Sequence, residues 1–251
     1  MTRPQRLVFG EDAELYDRVR PSYPDELIDD VVRLVGTPCR AVDAGCGTGR
    51  VAVALADRGV RVVGVEPDPA MAAVARRNLA PYPSCEVEES DFEDWRPPQL
   101  GSFDLVTSGQ AWHWIEPACG ARVAERALRR GGWLAIVRTD WEREATPLRR
   151  MIDDAYAEHE PGDTTFAASE PGKTLVPEDS EFGEAVRREY RWSQIYTAAE
   201  WLELLGTASN HRLLRDDRRE QLFGAISDAI SAEGGAYEHR YLATLWALQR
   251  S

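Results

Sequence analysis

Residues 41–49, Ala-Val-Asp-Ala-Gly-Cys-Gly-Thr-Gly, place three glycines at alternate positions directly after a short apolar run. Val42 reads as part of a strand. Gly45, Gly47 and Gly49 then make a turn with almost no side-chain bulk, so a ligand can approach the backbone closely. Arg50 to Arg58 reads as the following helix, stopped by Gly59, and the strand from Val60 to Val65 is closed by an acid, Glu66. Strand, glycine turn, helix, strand and acid make half of a nucleotide-binding α/β sheet, where the acid can accept from ribose hydroxyls.

The glycine spacing bears on the ligand. A dinucleotide fingerprint is G-x-G-x-x-G, with a pyrophosphate at the helix amino end. Here the spacing is G-x-G-x-G, preceded by Asp43. A carboxylate beside the ligand path is awkward for a pyrophosphate and useful for a cation. With its leading acid, its order of elements and Glu66, the chain resembles the class I S-adenosylmethionine-dependent methyltransferases, whose first motif is an acid-x-G-x-G-x-G loop. The bland reading of the same residues is a glycine turn that only packs a helix on a sheet.

The rest of the chain continues the alternation. Pro24 to Val35 forms a helix with Leu27, Ile28, Val31 and Val32 on its apolar face, and Gly36 ends it. Asp68 and Pro69 open a helix towards Leu79. Weak and strong strands follow at Cys85–Ser90 and Phe103–Ser108, then a helix from Pro117 to Arg130 and a fifth strand at Trp133–Arg138. Met151 to Glu158, Thr197 to Leu205 and Arg218 to Ile230 read as helices, and Val186 to Ile195 as a strand. Tyr237 to Leu248 fits either a last strand or a helix. This order predicts α/β architecture with a doubly wound parallel sheet. The resemblance implies a Rossmann-like, mostly parallel seven-stranded sheet with flanking helices and an antiparallel last strand. The expectation is one methyltransferase domain over residues 1–251, with an amino-terminal lid at 1–23 and an insertion at 142–183 after the fifth strand.

The resemblance is closest to the small-molecule branch, similar to trans-aconitate methyltransferases. It covers roughly residues 7–140 well. It implies S-adenosylmethionine as cofactor and S-adenosylhomocysteine as product. It places Asp43, Gly45 and Gly47 against the methionine portion, and Glu66, with Pro67 beside it, on the ribose. It places Asp91 on the adenine amino group with Phe92 beside the ring. Ser108 and Gln110 would face the methionyl ammonium and the reacting centre. Tyr16 and Arg20 would belong to the lid, with Arg20 meeting the cofactor carboxylate or standing exposed before a proline. Gln110-Ala-Trp-His-Trp follows the fourth strand, where such sheets bind ligands. Trp112 lines the pocket or packs under the sheet. His113 is the general-base candidate, its ordinary pKa lying near neutrality. Its alternative role is to support the loop. Cys46, between two loop glycines, reads as a small filler.

Charge narrows the partners. Thirty Lys and Arg against forty-three Asp and Glu give a net charge of −13 over 251 residues. Long-range repulsion then opposes a nucleic acid, and a small-molecule methyl acceptor is expected. The four cysteines show neither C-x-x-C pairs nor metal-ligand spacing, so no metal site is expected. Residues 1–6 lack the apolar stretch of a secretory signal and no run is long enough to cross a membrane, which points to a cytoplasmic protein. Two rival classes are a non-catalytic S-adenosylmethionine-binding protein and, lacking its glycine fingerprint, a nicotinamide-dependent oxidoreductase. The acceptor and the oligomeric state are not specified by these residues.

Overall fold

A computed structural model describes residues 9–142, 145–159 and 175–251. A 3-10 turn at Phe9–Asp12 leads into α1 (Ala13–Val19), capped by the Asp12 carboxylate on Leu15 N. Then follow α2 (Asp25–Val35), β1 (Arg40–Ala44), α3 (Arg50–Ala56), β2 (Arg61–Glu66), α4 (Pro69–Leu79), β3 (Glu86–Glu89) and β4 (Phe103–Gly109). After a 3-10 turn at Trp112–Trp114 come α5 (Pro117–Ala127), β5 (Leu128–Glu142), α6 (Pro147–His159) and β6 (Val186–Thr197). The chain closes with α7 (Ala198–Gly206), α8 (Ser209–Arg212), α9 (Asp216–Ala232) and β7 (Ala236–Gln249).

The seven strands lie in the order β3-β2-β1-β4-β5-β7-β6. The first five in that order pair in parallel. Gly131 N donates to Arg250 O and Arg250 N to Gly132 O, each at 2.9 Å. The start of β5 thus meets the end of β7, so β7 runs antiparallel. This is the doubly wound, mostly parallel sheet expected from the motif order. Its carboxyl edge is where β1 and β2 release the glycine loop and Glu66.

Local chemistry explains the element ends. Asp68 caps α4 by accepting from Ala70 N at 2.9 Å and Met71 N at 3.2 Å, with Pro69 in the first turn. Glu116 caps α5 in the same way. Thr197 and Glu200 form a capping box at the start of α7. Two boundaries differ from expectation. The helix expected to reach Arg130 stops at Ala127, because fully buried Leu128 takes an extended backbone and pairs with Phe103 at the edge of β4. The ambiguous last segment is a strand, since Tyr237, His239 and Tyr241 alternate inwards with exposed Glu238 and Arg240.

The chain divides into two compact units. One comprises Pro21–Thr139, Gly172–Tyr190 and Ala243–Ser251; the other comprises Met1–Arg20, Asp140–Pro171 and Arg191–Leu242. The segment 142–183, read as one insertion, is therefore split between them. We call them the sheet unit and the aromatic unit. In the sheet unit, Val42, Val65, Phe103, Val106, Leu128, Leu134 and Trp112 form the core. The buried Asp30 carboxylate accepts from Arg188 Nη1 and Tyr190 Oη, both at 2.6 Å, tying α2 to the 186–190 segment. In the aromatic unit, Ile152, Trp201, Leu205, Leu222, Ile226 and Tyr241 form a separate core. Among the described residues no helix is long and apolar enough to cross a membrane, and no His, Cys, Asp and Glu cluster could hold a metal ion.

Candidate cofactor site

The glycine loop leaves the carboxyl end of β1 between β2 and β4. Asp43 is in register with Gly64 on β2 and Thr107 on β4. Gly45 N and Cys46 N donate to Val65 O at 2.9 and 3.1 Å, which folds the loop back over β2. Gly45 adopts φ +66°, a left-handed conformation favouring glycine, and a Cβ there would lie 2.5 Å from the Ala111 Cβ. Backbone of the loop and of the segment after β4 therefore meet at a distance that excludes any side chain. At the end of β4 a Cβ on Gly109 would lie 2.5 Å from Val51 and 2.6 Å from the Tyr23 hydroxyl.

Glu66 organises the loop. Its Oε2 accepts from Gly47 N at 2.8 Å and its Oε1 from Asp68 N at 3.0 Å. Each oxygen retains further lone-pair capacity. Burial raises its pKa, the two backbone N–H groups oppose this, and the charges of Asp68 and Asp91 add to the rise. Asp43 is 1% exposed. Its Oδ1 accepts from the Thr107 hydroxyl at 3.0 Å, while Oδ2 has no hydrogen-bond partner. Burial pushes its pKa up to about 7, against the Thr107 hydroxyl, with Glu66 repelling the charged form. The Thr48 hydroxyl in the same loop is buried and also unpartnered. A buried carboxylate oxygen without a donor, beside a second carboxylate, is satisfied by a cation. The residues present thus fit a phosphate-free ligand carrying positive charge. A pyrophosphate would face Asp43, Glu66, Asp68 and Asp91 together.

Other expected site residues are placed differently. Phe92 is 3% exposed and stacks on Trp95 at 6.1 Å within the core, so it does not stand open beside a ligand ring. Trp112 is a core residue: it packs on Phe92, closes over Gly120 and donates Nε1 to Leu175 O at 2.8 Å. Ser108 is fully buried and donates its hydroxyl to Ala44 O at 2.9 Å, joining β4 to β1 instead of facing a ligand. Gln110 holds an unusual φ of +59° and spends its amide nitrogen on Thr139 O at 2.7 Å. Asp91 and Pro67 are half-buried, the former close enough to perturb Glu66. Tyr16 and Arg20 belong to the aromatic unit, where Arg20 donates Nε to Thr207 Oγ1 at 2.9 Å and lies over the Tyr16 ring. Its guanidinium is engaged there and not standing free before Pro21. Cys46 fills the space beside Gly64, and burial pushes its thiol well above the ordinary range, so it is inert. Thr107 and Ala111 are absent from the sequence reading. Matching strand ends across β1 and β4 would have found Thr107.

His113 is exposed, its ring 4.6 Å from that of Trp114. An exposed imidazole lies in water and not in a closed, dry site, so His113→Ala is expected to change turnover by less than about fivefold. A loss above about 100-fold, the scale of general-base catalysis, would contradict this.

Comparison with known proteins agrees with this geometry. Residues 42–136, from β1 into β5, match the model of the methyltransferase domain family. An uncharacterized methyltransferase of Mycobacterium tuberculosis is 31% identical over 209 residues, covering 82% of this chain and 79% of the relative. A trans-aconitate 2-methyltransferase of Deinococcus radiodurans is 34% identical over 99 residues, covering 39% and 36%. Among solved structures, a candidate type II methyltransferase from Anaeromyxobacter dehalogenans superposes with a TM-score of 0.64 at 21% identity, over 92% of this chain and 97% of that one. Motif and similarity over 82% of the chain converge, and the chain belongs to the methyltransferase family.

Proposed function

We propose that this methyltransferase uses S-adenosylmethionine and transfers its methyl group to an oxygen, nitrogen or carbon nucleophile of a small molecule. The carrying observation is the acid-lined glycine loop, in which Glu66 joins Gly47 N to Asp68 N and buried Asp43 Oδ2 lacks a donor. Glu66 would hold the ribose hydroxyls, and Asp43 would face the positive methionyl end. When bound, the cofactor supplies an activated methyl on a sulfonium, which a nucleophile displaces in line. The chain's own contribution is position: reactants held near 3–3.5 Å account for about 7–11 kcal/mol of a barrier without covalent help. The net charge of −13 favours a small acceptor over a polyanion. The small carboxylic acid named for the Deinococcus relative supports the same class. A reducing cytoplasm suits the four free cysteines. The four acids around the loop disfavour the dinucleotide reading.

Calorimetric titration with S-adenosylmethionine and S-adenosylhomocysteine tests this. Micromolar binding is expected, weakened at least tenfold (about 1.4 kcal/mol) in Glu66→Ala. Failure of the wild-type protein to bind either compound would overturn the proposal.

A further inference from the structure

The strands that carry the glycine loop and Glu66 at their carboxyl ends also form a cleft at their amino ends. It measures about 360 Å³ and is lined by Arg40, Arg61, Val63, Ser84 and Glu86. Arg40, Arg61 and Glu86 are the first residues of β1, β2 and β3. Arg40 is in register with Arg61, and Val63 with Glu86. In-register residues of neighbouring strands share a face, and Arg61 and Val63, two apart, share it too. Both guanidinium groups thus rise from one end of one face, with buried Val63 as an apolar floor.

The two cations are uncompensated. Like charges opposite one another on adjacent strands repel. The chain holds forty-three acids, yet among the described residues neither guanidinium makes a hydrogen bond or an ion pair. Glu86 lines the same cleft without pairing with either. The acid next to Arg40 is committed elsewhere: Asp104 Oδ2 accepts from Arg40 N at 2.8 Å, and its Oδ1 from Arg129 Nε at 2.7 Å. Arg40 is nonetheless held in place. Its Cζ lies over the fully buried Phe103 ring, 4.6 Å from the centroid. A guanidinium over a ring face keeps its N–H edges open to a further partner. Arg61 is exposed and adds a second fork.

Clefts from about 300 Å³ upwards take small ligands. Two guanidinium groups offer two positive charges and two planar forks. A carboxylate, with one charge and two oxygens, fills one fork. A phosphate monoester carries about −1.5 to −2 near pH 7 and three acceptor oxygens, enough to engage both. Glu86 adds the opposite requirement: it accepts from a neutral hydroxyl and repels a second anion. The net charge of −13 acts at long range and is screened by salt, while the two forks act in contact. We propose that the amino ends of β1, β2 and β3 bind a small phosphate monoester bearing a hydroxyl group, with Arg40 and Arg61 donating to the phosphate and Glu86 accepting from the hydroxyl. The site lies within the sheet unit and holds whether or not the glycine loop binds S-adenosylmethionine.

Calorimetric titration of the full chain with glycerol phosphate, inorganic phosphate and glycerol tests it. Saturable binding of glycerol phosphate is expected, about tenfold tighter than inorganic phosphate, the scale of one hydrogen bond to a charged group. Glycerol should show none. Arg61→Gln should weaken both phosphates at least about tenfold. Glu86→Ala removes the acceptor and the repulsion together, and should make the two phosphates bind alike. No saturation by glycerol phosphate, inorganic phosphate binding as tightly as the ester, or a folded Arg61→Gln variant that binds like wild type would overturn the proposal. The wild-type comparison decides the matter even if a variant fails to fold. A parallel S-adenosylmethionine titration, expected to give the same affinity in wild type and Arg61→Gln, separates failure of this site from failure of the cofactor reading.

Discussion

Gly45→Ala is expected to lower stability by about 2–5 kcal/mol and to abolish measurable S-adenosylmethionine binding. Two costs combine. At φ +66° an alanine enters the left-handed region, at roughly 1–2 kcal/mol. Its Cβ would then stand 2.5 Å from the Ala111 Cβ, far inside contact distance. Neither atom is the far end of a flexible side chain, so backbone must move, at about 1–3 kcal/mol. The displaced backbone is the loop that Glu66 holds through Gly47 N. Gly59 is a built-in control. It has a φ of +79° and open space around its missing Cβ. Urea unfolding of both variants therefore isolates the clash: Gly59→Ala should lose about 1–2 kcal/mol, from backbone strain alone. Equal losses in the two variants would refute the close approach.

Asp43→Asn should stabilise the ligand-free protein above pH 7 and weaken cofactor binding there. The folded pKa of Asp43, about 7, lies above the unfolded value of 3.8. A raised acid costs nothing below its unfolded pKa. The penalty grows as pH rises from 4 to about 7 and is then constant, at up to about 4 kcal/mol. Asparagine does not ionise and escapes it. The gain in unfolding free energy should be near zero at pH 4 and reach its plateau by pH 8. A positively charged ligand prefers the ionised form. Wild-type affinity should therefore rise by up to about tenfold per pH unit below 7 and level off above, while the variant stays flat. Calorimetry in buffers of different ionisation heat would register the released proton. A wild-type affinity independent of pH between 5 and 8 would show that Asp43 is not coupled to the ligand.

Such effects concentrate where the chain was most legible. Asp43, Gly45, Gly47 and Glu66 fall within two neighbouring strand ends, so spacing alone sets their relation. The parallel, doubly wound character of the sheet followed from the alternation of apolar runs and capped helices. Side-chain direction after β4 did not. Thr107 and Ser108 are adjacent, yet one meets Asp43 and the other Ala44 O, a difference set by strand register. Phe92 and Trp112 are large, and their inward packing against Trp95 and Gly120 depends on elements distant in sequence. The same holds for Arg20, whose partner Thr207 lies 187 residues away. The histidines of the aromatic unit carried no local signal, because their neighbours come from β5, α7, α9 and β7.

The interleaving of the two units constrains how such a protein can diversify. The chain passes from one unit to the other five times, at 20/21, 139/140, 171/172, 190/191 and 242/243. Three of those crossings fall inside β5, β6 and β7, which belong to both units. A single recombination event cannot hand the aromatic unit to another methyltransferase. Exchange requires three segments to travel together, with strand register preserved at each splice, since a slip of one residue turns every inward side chain outwards. Point substitution within one segment is the shorter route to an altered aromatic unit, and a chimera should be spliced within the strands and not at the loops.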